Sequence, residues 1–552
     1  MSINEEIVEV LNKAICSAIT NGKIPKVELL DIQLEPPKKP EYGNLATNIA
    51  FLIAKKINIS PYQTAQVIIE CMERPKELIS NVEIAGGGFI NFWISKDRLY
   101  KVLREIEGED ESYGSSNIGA GNKVLIDFLS ANPTGPLHVG HGRGAAYGDI
   151  LANILTFCGY EVNKEYYIND VGTQMKTLGE SLKARYLQLL GQEVQLPDDF
   201  YQGEYLVKIA NTLYNQEKDT YQDKDVSFFT EFAKEEILKE IRKTLIEFGV
   251  KYDSWVSESK LYESKQVDKA IKLLKKLGFT YESEGALWLK TTSFGDEKDR
   301  VLIRQDGNHT YFAADIAYHK NKYERGYNLL IDAWGTDHHG YVKRIKSAMN
   351  ALGYPEDKLV VLLYQLVSLI RDKQLVSMST RSGEFITLSE LISEVGKDVA
   401  RFFFVMRKVN SHLEFDLSLA KQSSKENPVY YIQYVHARAC SILSKAKELG
   451  FPQPSSHQVD LNLLKLYEEL ALIFKLASLP NEVISCAKFY EPHGLTTYLI
   501  ELAGIFHNYY QHHRVISTNK ELSQARLVLV NTVRIVIRNS LTLLGLHAPE
   551  RM

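Results

Sequence analysis

The sequence predicts an α/β protein in three parts: a domain on a parallel sheet with a helical insertion, an α+β domain before it and an all-α domain after it. Three observations predict this. From Val124 to about Asp398, short apolar runs alternate with helical stretches, as the crossovers of a parallel sheet require. Residues 107–122, EGEDESYGSSNIGAGN, are rich in Gly, Ser and acids without apolar periodicity and read as a linker. After Gly396 almost every segment has a helical period.

Taken in order, residues 1–106 mix helical patterns (EEIVEVLNKAICSAI, ATNIAFLIAKKI) with a strand-like ending after three glycines, GGGFINFWIS. Residues 123–400 form the sheet domain, with KVLIDFL, EVNKEYYI, NLLIDAW and LVVLLYQLVSLI as strand candidates. From about 176 to 276 the pattern turns helical and amphipathic (DVSFFTEFAKEEILKEIRKTLIEFG), as expected of an insertion. Residues 401–552 are the all-α domain, from PVYYIQYVHARACSILSKAKELG to QARLVLVNTVRIVIRNSLTLLGL.

With 552 residues, 45% of them hydrophobic, the chain is long enough for several cores. Cys16, Cys71, Cys158, Cys440 and Cys486 lie far apart with no CxxC pair, and acids stand near the N-terminus where a secretory signal needs bases. Both point to a reduced, cytoplasmic protein. Apolar runs fall short of the roughly 18 residues of a membrane span, so no membrane partner is expected. The net charge of -4 argues against indiscriminate nucleic-acid coating, yet residues 421–552 hold 14 Lys and Arg against 10 Asp and Glu. That tail reads either as a polyanion-facing module or as a solvated helical surface.

The most informative stretch is SANPTGPLHVGH, residues 130–141, between an apolar strand and the helix GRGAAYGDILANIL. Ligands of open parallel sheets bind at the carboxyl ends of strands, where the next helix offers unpaired amides. Gly140, Gly142 and Gly144 would let a polyphosphate approach the backbone, and His138 and His141 would donate to it. A metal site is the weaker reading, because no cysteine and no HExxH glutamate accompanies the histidines. Histidines that merely cap a turn are a third.

The sequence motifs carry a family resemblance. HVGH after SANPTGP resembles the HIGH signature of class I aminoacyl-tRNA synthetases. YYINDVGTQM (166–175), GTDHHG (335–340) and SMSTRSGEF (377–385) come after it in the order such an enzyme shows. The arginyl-tRNA synthetases are the most similar group, with YYIQYVHARACSIL (430–443) and the terminus LHAPERM resembling their anticodon-binding part. The resemblance implies a class I Rossmann-type catalytic domain, an additional N-terminal domain, in which PEYGNLATNIAF (40–51) touches the outer corner of tRNA, and a DALR-type anticodon-binding domain. The implied reaction is ATP-dependent activation of L-arginine and its transfer to tRNA(Arg), by a monomer, with Mg2+ arriving on ATP and no permanently bound metal.

What the resemblance implies for single residues is specific. His138 and His141 stabilise charge on the phosphates, with Gly140, Gly335, Asp337, His338 and Met378 also on ATP, the adenosine lying against Gly335, Asp337 and His338. Asp127, Tyr311 and Asp315 match guanidinium-binding positions, and Ser130 and Asn132 match residues holding the α-amino and carboxylate groups. Asp315 lies four residues after Tyr311, so a helix would put both on one face. The second class I signature normally reads KMSKS; here Ser379 and Arg381 stand in a lysine-free SMSTR, with Lys373 and Arg371 nearby, Gly383 to allow loop movement, and Gly135 where some relatives keep a lysine. Tyr430, Tyr434, His436 and Arg438 are candidates for stacking on anticodon bases, or an ordinary aromatic core stripe. The lysine-free signature leaves a catalytically silent paralogue as the alternative, and an adenylyltransferase sharing only the nucleotide fold as a third reading.

Overall fold

The computed structural model describes residues 2–28, 31–376 and 385–552. The first helix, Ile3–Thr20, starts in a Ser2/Glu5 capping box: Ser2 N–H donates to Glu5 Oε2 at 2.8 Å while Ser2 Oγ accepts from Glu5 N–H. Ile3, Ile7, Leu11 and Ile15 recur on its buried face. A three-stranded antiparallel sheet, ordered Leu45–Thr47, Phe89–Ile94, Ile79–Ala85, completes an α+β unit. The predicted linker is a correction. Helix Lys96–Glu109 runs into it, and the residues just past that helix are bound to the C-terminal helices. Asn539 Nδ2 donates to the carbonyls of Asp110 and Tyr113 at 2.7 and 3.2 Å, and the buried Tyr113 hydroxyl donates to Leu476 O. The partners lie more than 360 residues away in sequence, which composition cannot register.

Five parallel strands form the central sheet, in the order Leu359–Tyr364, Leu329–Gly335, Lys123–Phe128, Glu161–Ile168, Ser254–Ser257. Lys123–Phe128 is the earliest in the chain and lies in the middle, so the winding reverses between it and Leu329–Gly335. That reversal opens a crevice at the carboxyl ends of the two strands. The helical insertion is shorter than 176–276. Helices Thr173–Leu189, Glu204–Glu217 and Val226–Glu247 make it up, whereas Ser254–Ser257 rejoins the main sheet beside Glu165–Ile168. This strand is short and only half-buried, so it lacks the apolar run that marks its neighbours.

Two further boundaries move. LVVLLYQLVSLI is not one strand: Leu359–Tyr364 belongs to the main sheet, and Val367–Arg371 to a separate three-stranded sheet with Gln374–Leu375 and Leu413–Asp416. Because Leu413–Asp416 pairs with Val367–Ile370, the sheet domain continues beyond residue 400. The helical domain proper starts at Pro428–Glu448 and ends in Lys520–Leu543. Within it, Tyr467–Phe489 is apolar and long enough for a membrane span, contrary to the expectation that no segment is. It forms two helices, Tyr467–Ala477 and Leu479–Phe489, with Pro480 in the first turn of the second. Leu472, Leu476, Leu479 and Val483 of this segment are buried in the core.

Candidate active site

The chain leaves strand Lys123–Phe128 through a strained turn. Leu129 (φ 67°) and Ser130 (φ 41°) are consecutive left-handed residues without being glycine, a conformation costing on the order of 1–3 kcal/mol each. Ser130 Oγ braces it, donating to Asp127 Oδ1 at 2.7 Å and accepting from Tyr167 N–H at 2.9 Å. Tyr166 donates to Ala131 O at 2.8 Å, and Asn132 Nδ2 donates to Gln174 Oε1 at 2.9 Å. Asp127 Oδ2 also accepts from Tyr318 and Lys322. Three of its roughly four acceptor positions are therefore taken, so Asp127, expected at a guanidinium-binding position, has little left to offer a guanidinium.

Val139–Phe157 is the next helix, with His138 as its N-cap. His138 N–H donates to His141 Nδ1 at 3.2 Å, and the two rings stack at 3.7 Å. An Nδ1 that accepts leaves His141 Nε2 carrying the proton. Burial, then His138, lowers His141 to about 3, and burial lowers His138, so both rings are neutral donors at pH 7. Gly140 is needed here, since a Cβ would stand 2.9 Å from the His138 ring. Gly142 and Gly144 differ from expectation: their absent side chains make room for Phe404 and Tyr364 in the core, not for phosphate. Arg143, 1% exposed, donates to the carbonyls of Gln365, Ser411 and Lys408 at 2.8–2.9 Å, tying this helix to the small sheet.

The acidic pocket lies between helix Tyr311–Glu324, strand Ser254–Ser257 and helix His339–Ala351. Thr310 caps the first of these, and Tyr311, 48% exposed, begins it with its hydroxyl over Gly172. One turn on, Asp315 accepts from the Tyr341 hydroxyl, and burial raises its pKa. Facing it is Glu258, which sequence reasoning missed. Glu258 is 2% exposed and lies beside the buried Tyr167 hydroxyl, and among the described residues no well-aligned hydrogen bond reaches its Oε1. Burial, then the charge of Asp315, pushes Glu258 up to about 7. Asp170 holds the turn that aims it, accepting from Ser257 Oγ, Ser259 N–H and Ser259 Oγ at 2.8–3.0 Å. A buried and a half-buried acid with unfilled acceptor positions suit a cation with several donors in a plane. The only signal in the sequence was SES after WV, a carboxylate between two hydroxyls that no motif marks.

Strand Leu329–Gly335 ends in a short turn over Thr336–His338, leaving Asp337 and His338 exposed at the lip of the crevice. Met378, Ser379, Arg381 and Gly383 lie outside the described residues. The stretches on either side of them are anchored. Gln374–Leu375 pairs with Ile370–Arg371, and Val139 N–H donates to Ile386 O while Leu388 N–H donates to Leu137 O. Of the other cations there, Arg371 is paired with Glu394 at 2.8 Å, and Lys373 is exposed.

Far from the crevice, Arg438 lies 4.5 Å over the rings of both Tyr434 and Tyr510, and Tyr434 stacks on Tyr430 and His507. His436 is not part of that face. It is 3% exposed, with Nδ1 bonded to Pro549 O.

A parallel sheet with its crevice at the winding reversal, a neutral histidine pair opening the first crossover helix and a helical C-terminal domain together define a class I aminoacyl-tRNA synthetase. Three family models match: the arginyl tRNA synthetase N-terminal domain over 1–94, the class I (R) tRNA synthetase catalytic domain over 104–412 and the DALR anticodon binding domain over 432–552. An arginine–tRNA ligase of Desulforamulus reducens is 48% identical over 555 residues, covering 100% of this chain and 99% of the relative. One from Carboxydothermus hydrogenoformans is 48% identical over 554, with the same coverage. The Thermus thermophilus arginyl-tRNA synthetase structure shares the fold at a TM-score of 0.77 and 23% identity, covering 99% of this chain and 100% of that one. The chain belongs to the arginyl-tRNA synthetase family.

Proposed function

We propose that the chain ligates arginine to tRNA(Arg). The arginine carboxylate attacks the α-phosphate of ATP, forming arginyl-adenylate and releasing pyrophosphate. The terminal adenosine of tRNA then attacks the acyl carbon, and AMP leaves. The observation that carries the reading is the pair formed by the buried Glu258 and the half-buried Asp315, beside a histidine-lined crevice. In this reading Asp315, Glu258 and the Tyr311 ring hold the guanidinium, Asn132 and Ser130 the α-amino and carboxylate end, and Gly335, Asp337 and His338 the adenosine. His138, Gly140 and His141 face the phosphates, with Ser379 and Arg381 as further catalytic residues and Met378 as a further ATP-binding one. Magnesium arrives on ATP, coordinated by phosphates and water. The stacked Tyr434, Arg438 and Tyr510 supply a platform for unstacked anticodon bases. Five unpaired cysteines suit a reducing, cytoplasmic setting, and the family expectation is a monomer with no membrane partner.

ATP–pyrophosphate exchange with each of the twenty amino acids, with and without tRNA, tests the reading. Exchange with arginine alone is the expected result. Folded protein that binds tRNA yet exchanges with nothing would move the assignment to the silent paralogue.

The pocket also sets a pH dependence. Glu258 titrates near 7 in the free protein and must be ionised to meet a guanidinium. Arginine affinity is therefore constant well above pH 7 and falls about tenfold per unit as pH drops below it, with a proton released on binding. Calorimetry between pH 5.5 and 8.5 in buffers of different ionisation enthalpy measures both, and Glu258→Gln should flatten the slope.

A further inference from the structure

Behind the crevice lies a cluster of buried charge that the reaction chemistry does not use. Lys322 is 0% exposed and its Nζ donates to Asp127 Oδ2 and to Asp332 Oδ1, each at 2.7 Å, with the Tyr318 ring 4.2 Å away. Asp332 Oδ2 meets His319 Nε2 at 2.8 Å. The single Tyr318 hydroxyl proton is shared between Glu165 Oε1 at 2.8 Å and Asp127 Oδ2 at 3.0 Å, and Arg325 forks Glu165 at 2.5 and 2.7 Å.

The three pieces this ammonium joins are the ones that carry the site. Lys322 stands on the helix that begins with Tyr311 and Asp315. Asp127 ends the strand leading into the strained turn of Ser130 and Asn132, and is bonded to Ser130 itself. Asp332 stands on the strand leading to Gly335 and Asp337, directly opposite Asp127 in the register. Stability does not account for such a cluster. Removing ions from water costs several kcal/mol each, and well-packed apolar residues of equal volume are often as stable. Short charge-assisted bonds to two strands supply a fixed separation between them, which apolar contacts specify less sharply.

We propose that Lys322 is a positioning residue for amino-acid activation: acting through Asp127 and Asp332, it holds the acidic pocket, the Ser130–Asn132 turn and the adenosine-facing turn in one register. The inference rests on the arginine-activation reading above.

The test uses the full chain as Lys322→Arg and Lys322→Met, assayed by arginine-dependent exchange with tRNA(Arg) present and by separate binding of ATP, arginine and tRNA. Lys322→Arg keeps the charge but lengthens the bridge, so neutralisation alone would leave it active. Where Lys322→Met does not fold, Lys322→Met/Asp127→Asn takes its place, removing one buried carboxylate and leaving Asp332 with His319. The expected result is a fall in kcat of about 100-fold, with KM for ATP and arginine within about threefold of the parent and unchanged tRNA affinity. A folded variant with kcat within about threefold of the parent overturns the proposal. So does a loss of kcat matched by equal losses of melting temperature and tRNA affinity, or failure of every variant to fold, since either leaves a structural role only. A parent chain without arginine exchange sinks the functional reading instead, and this inference with it.

Discussion

Asp315→Asn is expected to raise KM for arginine by a factor between about 30 and several thousand while leaving ATP affinity unchanged, because truncating one side of a buried charge pair costs about 2–5 kcal/mol. Three features set that size. Asp315 is on a well-capped helix, its carboxylate is already oriented by the Tyr341 hydroxyl, and Glu258 faces it across the pocket. The amide keeps the shape and one acceptor but adds two donors aimed at a guanidinium that has only donors. The loss should therefore be larger than the deletion of one neutral hydrogen bond. Glu258→Gln belongs to the same experiment, and the two should combine less than additively because both acids meet one ligand. Measuring exchange against arginine concentration, with ATP binding by fluorescence or calorimetry, decides it. Unchanged KM in a folded Asp315→Asn chain would place the amino acid elsewhere.

His141→Ala is expected to lower kcat for exchange by about 10²–10³, the usual cost of removing one preorganised donor from a developing charge. The ring is fixed by the His138 backbone N–H and by stacking on His138, and it is neutral, so its Nε2–H is aimed before substrate arrives. A donor that needs no reorganisation contributes more in the transition state than in the ground state, so KM for ATP should change far less than kcat. Because burial lowers both histidines, His141 to about 3, activity between pH 6 and 8 should not follow titration of His141; Glu258 governs that range. An imidazole-like pH profile that disappears in His141→Ala would contradict this assignment.

Much of the fold and the site was legible in the sequence. The strands Lys123–Phe128 and Leu329–Gly335 are largely apolar runs with buried centres, Glu161–Ile168 is buried over its second half, and the histidine pair, Tyr311 and Asp315 stand in motifs with a mechanical reason for their spacing. Other features were not. Ser254–Ser257 carries too little apolar character to be read as a strand, and the stretch from Glu107 to Asn122 has a linker's composition although Asp110 and Tyr113 are bonded to Asn539. Glu258 looks like any surface glutamate until the fold buries it.

The sequence by itself determined the order of elements, the parallel sheet, the helical C-terminal domain and the phosphate-facing motif, because periodicity and turn chemistry are local properties of the chain. Only the tertiary structure decided where charge is paired and where it is left open. Ser130, Tyr318 and Lys322 together fill most of what Asp127 has to offer, whereas Glu258 Oε1 is left without a well-aligned donor among the described residues. Pairing and desolvation depend on which side chains meet across elements far apart in the chain, 195 residues for Lys322 and Asp127, and that is what separates a structural carboxylate from one that can bind a cation.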